Sequence, residues 1–64
     1  MSMRKRFLKA AQKLLGKRPK GFVVENHKDG VLLNYTLNND AHRKWGEACE
    51  EKMGTSFPIW VTTY

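Results

Sequence analysis

The stretch Phe22-Val23-Val24-Glu25-Asn26-His27-Lys28-Asp29-Gly30-Val31-Leu32-Leu33-Asn34-Tyr35-Thr36-Leu37 decides how this chain folds. Two runs of β-branched and aromatic residues, Phe22 to Asn26 and Val31 to Leu37, flank Asp29-Gly30, a strong short-range signal for a β-hairpin. Whether the loop has two residues or four, Phe22 and Val24 share a face with Leu33, Tyr35 and Leu37, so the pattern itself sets the register. The opposite face carries Val23, Glu25, Leu32, Asn34 and Thr36 and is mixed in polarity.

Beyond the hairpin, Asn38-Asn39-Asp40 offers three successive N-caps for a second helix running to about Met53. Ala41, Trp45, Ala48, Cys49 and Met53 form its apolar stripe, and both His42 and His27 are expected in solvent. Asp40 with Lys44 and Arg43 with Glu47 are spaced for ion pairs along the helix. Gly46 lowers helix propensity, which implies close approach of another backbone. Gly54 ends the helix. From Phe57 to Tyr64 the chain alternates as a last strand, with Phe57, Ile59 and Val61 on one face and Trp60, Thr62 and Tyr64 on the other. Pro58 has no N–H for a ladder, so this strand lies at an edge or enters the sheet after that residue.

Ahead of the hairpin, Met3, Phe7, Ala10, Ala11, Leu14 and Leu15 repeat at helical spacing. Ser2 fits as the N-cap and Gly16 as the terminating residue, with Pro19 soon after. Three cations in the first turn oppose the helix macrodipole. The order α-β-β-α-β predicts a small α+β domain with a three-stranded, mainly antiparallel sheet. Its second helix covers one face, and a basic amphipathic helix leads the chain. Strand order 2-1-3 makes the sheet fully antiparallel, and 1-2-3 contains an ordinary βαβ unit; the former is our expectation. Phe22, Val24, Leu33, Tyr35, Trp45, Cys49, Ile59 and Val61 should meet in one core.

Sixty-four residues make one domain, 1–64, comprising a helix and connector over 1–20 and a ββαβ body over 21–64. A chain of this size buries only about 60% of its unfolded surface, so its core is small. Charge is its uncommon feature. Eight of the twelve Lys and Arg fall in the first twenty residues (Arg4, Lys5, Arg6, Lys9, Lys13, Lys17, Arg18 and Lys20), and no acid accompanies them. The remaining residues carry four bases and six acids, so a cationic segment of +8 precedes a body of −2. Cys49 is the single cysteine, which removes any internal disulfide. No apolar run exceeds three residues, as in Val31-Leu32-Leu33, far below the roughly 20 residues of a membrane span. Lys9 and Lys13 interrupt what would be the apolar stretch of a signal peptide, so a cytoplasmic location is expected.

Residues for catalysis are thinly supplied. His42 and Cys49 stand seven apart, about 10 Å along a helix axis, too far for a nucleophile and its base. Glu47, Glu50 and Glu51 fit a solvated helix face, and Gly16-Lys17 lacks the glycines of a phosphate loop. We therefore expect no enzyme, no metal and no cofactor. The first expectation for function is a binding module whose Arg4, Lys5, Arg6, Lys9, Lys13, Lys17, Arg18 and Lys20 take up nucleic-acid phosphates. Sequence preference should be weak, because Gln12 is the helix's only amide side chain. Trp60 and Tyr64 could stack on unpaired bases if their sheet face stays open. Alternatively, the same cations dock on an acidic partner, as in a small regulator or inhibitor; the likeness to phage accessory proteins is one of size alone. Adsorption of the first helix to a membrane surface is a third reading.

Overall fold

The computed structural model describes residues 2–64. It comprises α1 (Met3–Leu15), β1 (Val23–His27), β2 (Gly30–Tyr35), α2 (Asp40–Met53) and β3 (Ile59–Thr63). The fold is α+β in the order read from the sequence. Helix starts have local causes. The Ser2 hydroxyl accepts the Lys5 N–H at 3.2 Å, and of the three candidate caps Asn39 is used, its side chain accepting the His42 N–H at 3.1 Å. Gly16, at φ 86°, closes α1 by donating its N–H to the Gln12 carbonyl.

The hairpin register follows the apolar pattern: Val24 lies opposite Leu33, and His27 opposite Gly30, leaving Lys28-Asp29 as the loop. Lys28, rather than Gly30, takes the left-handed conformation, at φ 51°. Gly30 serves a different purpose. A Cβ there would sit 2.1 Å from the Pro58 carbonyl oxygen, which accepts the Val31 N–H at 3.0 Å. The glycine that signals the turn thus also opens the place where β3 enters the sheet.

Sheet order is β1-β2-β3, with β3 parallel to β2, so the expected 2-1-3 arrangement is corrected to a mixed sheet. The outer side of β1 is occupied by the N-terminal segment. Arg4 donates from Nε to the Val24 carbonyl, its backbone N–H donates to Asn26 Oδ1 at 2.7 Å, and Arg18 donates to the Phe22 carbonyl. Those outward carbonyls are taken, and β3 pairs on the free side of β2 instead.

Both helices cover one face of the sheet. Val24, Val31, Leu33 and Tyr35 project from that face and are buried with Phe7 and Ala11 of α1 and Trp45, Cys49 and Met53 of α2. Phe22 stacks on Tyr35 with ring centroids 4.7 Å apart and meets Trp45 edge-on at 4.9 Å, while Phe7 meets Phe57 edge-on at 5.4 Å. Ile59 and Val61, expected inside this core, are half-buried at its margin because β3 is an edge strand. Leu37 lies past the end of β2 and is exposed.

Helix α2 departs from its expected stripe at the N-terminal end. Ala41 is exposed and His42 is buried. The ring's Nε2 lies 2.8 Å from the Lys20 carbonyl, and its Nδ1 accepts the Thr36 N–H at 3.5 Å, which places the ring proton on Nε2. Gly46 is also explained differently: a Cβ there would stand 2.5 Å from the Tyr35 ring, so a side chain, not a backbone, makes the close approach. Arg43 pairs back to Asp40 at 2.6 Å rather than forward to Glu47, and no bridge joins Asp40 to Lys44.

Candidate functional site

The buried stripe of α1 fixes which of its side chains face solvent. Phe7 and Ala11 are fully covered, and Lys5, Arg6, Lys9, Gln12 and Lys13 consequently project from the opposite side, all exposed. At 100° per residue Lys5, Lys9, Lys13 and Arg6 fall within one sector of about 100°. An open concavity is lined by Arg6, Lys9, Ala10 and Lys13, and another by Lys17, Arg18, Pro19, Lys20 and Gly21. No acidic residue occurs anywhere in this segment. No acid of the segment itself offsets its field, and an anion meets several donors along one ridge.

Two of the eight basic residues have other work. Arg4 and Arg18 are half-buried, their guanidinium groups bonded to the Val24 and Phe22 carbonyls. They fasten α1 and the connector to β1. Lys5, Arg6, Lys9, Lys13, Lys17 and Lys20 remain exposed, and these are the cations a polyanion would meet. Sequence spacing could not separate the two groups, because the distinction depends on which carbonyls β1 leaves unpaired.

Trp60 and Tyr64 stand elsewhere. Trp60 lies on the face of the sheet that neither helix covers, beside Leu32, on the face that also carries Val23, Glu25 and His27. It is half-buried, with the His27 ring edge-on at 4.8 Å and Lys28 Nζ 5.6 Å from its centroid. His27 is thus half-buried against an indole rather than fully in solvent. Tyr64, just past β3, is 69% exposed. The α1 cations and these rings are on opposite sides of the sheet, so the structure does not bring them into one site.

The two residues weighed as nucleophile and base, Cys49 and His42, are both buried. Burial first, and Glu50 second, push the Cys49 thiol up to about 12, the reverse of an activated thiolate. Both ring nitrogens of His42 are engaged with backbone groups. Glu47, Glu50 and Glu51 are exposed on α2, and among the described residues no group of three His, Cys, Asp or Glu is placed to hold a metal ion. Among the same residues no helix is long and apolar enough to cross a membrane.

Comparison with protein-family models, with curated proteins and with solved structures found no match for this chain.

Proposed function

We propose that the protein is a small non-catalytic binding module that holds nucleic-acid phosphates on the solvent face of α1, with little sequence specificity, in a cytoplasmic setting. One observation carries the reading: Lys5, Arg6, Lys9 and Lys13 project together from a helix whose other face is locked into the core, with no acid in residues 1–20 and, among the described residues, no ion pair to these cations. A docked helix presents its charges in a fixed array, so binding does not require ordering a loose arm. Phosphates engaged there release condensed counterions, which makes affinity salt-dependent and indifferent to base order. Gln12 is the one side chain on this face suited to bidentate base contact. Trp60 and Tyr64, on the far side of the sheet, contribute nothing to a duplex lying along α1.

An acidic protein partner is the second reading, because the same cations would serve it. Membrane adsorption fits less well. It needs the apolar stripe of α1, and Phe7 and Ala11 are already used by the core, leaving Leu14, 62% exposed, as the large apolar side chain available on that helix. The test is binding of the protein to unrelated duplex DNAs, to RNA and to polyglutamate over a series of salt concentrations. Engagement of about four to six duplex phosphates gives a slope of about −3.6 to −5.4 in log K against log salt, equal for all duplex sequences. Absence of duplex binding at low salt, or preference for polyglutamate, would overturn the reading in favour of the protein partner.

A further inference from the structure

The two edges of the sheet are treated differently. On β1 the outward carbonyls of Phe22 and Val24 are capped by Arg18 and Arg4, so that edge offers little to an incoming strand. β3 forms the other edge. Its inward groups are identified by the bonds that bracket the ladder: Val31 N–H to the Pro58 carbonyl at 3.0 Å and Tyr64 N–H to the Tyr35 carbonyl at 3.1 Å. Even-numbered residues therefore face β2. Because successive residues in a strand turn their backbone groups to opposite sides, Ile59, Val61 and Thr63 point N–H and C=O away from the sheet. The usual protections of an edge are absent within β3, which has no charge, no proline and no bulge.

We infer that β3 is a self-association edge, pairing antiparallel with β3 of a second copy about a two-fold axis at Val61. Three observations select a second copy as the occupant. First, residues 54–64 contain no Lys, Arg, Asp or Glu, although the chain carries +6, so copies can meet there without placing like charges face to face. Second, the outward positions are symmetric about Val61. A two-fold there sets Val61 opposite Val61, Ile59 opposite Thr63 of the other copy, and Trp60 opposite Thr62, satisfying every outward N–H and C=O of the strand. Ile59, Trp60 and Val61, each half-buried in one copy, gain cover from the paired strand. Third, Arg4 and Arg18 occupy the Val24 and Phe22 carbonyls along the β1 edge, which disfavours head-to-tail addition there. Pairing closes at two chains in a continuous six-stranded sheet and does not grow into a filament. This inference does not depend on what α1 binds.

Sedimentation equilibrium of the intact 64-residue chain tests it, alongside a synthetic chain carrying an N-methyl group on the Val61 amide and the variant Thr63→Lys. The methyl group removes one outward donor and blocks the neighbouring strand without changing any side chain. Thr63→Lys adds a charge at an exposed edge position. The expected result is a mass twice 7.4 kDa for the unmodified protein at high concentration, falling to 7.4 kDa in either altered chain, with the circular dichroism of the folded protein retained. An unmodified protein of 7.4 kDa at its solubility limit would overturn the inference. So would assemblies that keep growing with concentration, or a Thr63→Lys variant as dimeric as the parent; the last result keeps the test decisive if the methylated chain does not fold.

Discussion

Helices α1 and α2 lie side by side on the same sheet face, and both bury an apolar stripe, yet their solvent faces are built on different plans. That of α2 mixes signs: Arg43, Lys44 and Lys52 alternate with Glu47, Glu50 and Glu51, Arg43 bridges Asp40, and Asp40 sits in the first turn where the macrodipole favours an acid. The charges on the face of α1 are all cationic, and its first turn has no acid. Among the described residues the salt bridge is on α2, and none joins the α1 cations to the body. Self-repulsion and an opposed dipole make the α1 surface a small net cost to the fold, one that α2 avoids. The contrast is between charge that is paired within the molecule and charge that, among the described residues, makes no ion pair in it.

The anchors of the two helices give the largest expected effects. Phe7 is fully buried against Phe57 and is what holds α1 to the body despite its charge. Phe7→Ala should cost about 3–5 kcal/mol in urea unfolding, a large share of the stability of a domain this small. A cost below about 1 kcal/mol would mean that α1 is not docked in solution. On α2 the corresponding constraint is tight packing. Gly46→Ala gains helix propensity but drives a methyl into the Tyr35 ring, so it should lose about 1–3 kcal/mol net.

Alkaline pH probes the buried side of α2 and the sheet residue packed on it. The Cys49 thiol is raised from 9.0 to about 12 by burial and Glu50, so the unfolded chain releases this proton at lower pH than the folded one. The contribution to stability is intact below 9.0 and is lost as pH climbs from there toward about 12, at up to roughly 1.4 kcal/mol per pH unit. Burial and the neighbouring Glu50, Glu47 and Cys49 raise Tyr35 as well, which adds loss in the same direction from 10.0 upward. Stability should fall from 9.0 to 10.0 in the parent chain and hold over that interval in Cys49→Ala, with the Tyr35 loss above 10.0 remaining in both.

Cap removal gives a smaller contrast. Asn39→Ala should cost about 1 kcal/mol, because its side chain satisfies the His42 N–H at the start of a helix built into the core. Ser2→Ala, at the cation-loaded start of α1, should cost less, about 0.5 kcal/mol. Smallest of all, replacing Lys9 and Lys13 by Ala should leave stability within about 0.5 kcal/mol, since neither side chain contacts the core.

Much of this architecture was legible because the apolar periods were clean. The hairpin register follows from Val24, Leu33 and Tyr35, and the caps Ser2, Asn39 and Gly16 stand where the stripes begin and end. Strand order was not legible, since either neighbour for β3 buries the same alternating residues. The choice turned on Arg4 and Arg18 occupying the β1 edge, a contact between segments about twenty and four residues apart in sequence. The placement of α1 beside α2 on one face was not legible either, since an amphipathic period shows that a helix packs but not on which side of a sheet. His42 was open to a better reading. It shares the spacing of Trp45, Cys49 and Met53 more closely than Ala41 does, and its burial needed only the two backbone partners that the fold supplies. For the candidate site, the exposed cations could be read from the helical period, whereas the diversion of Arg4 and Arg18 to structural bonds could not.

Whether the α1 cations act on a partner and not on the fold is tested most directly by the salt slope of duplex binding after replacing Lys5, Arg6, Lys9 and Lys13 together by Ala. All four are exposed and lie off the buried stripe of Phe7 and Ala11. The account predicts that log K falls less steeply with log salt by about 3 to 4 units, with affinity reduced equally for every duplex sequence and the unfolding curve unchanged. A variant that binds duplex with the parent's affinity and slope would contradict it.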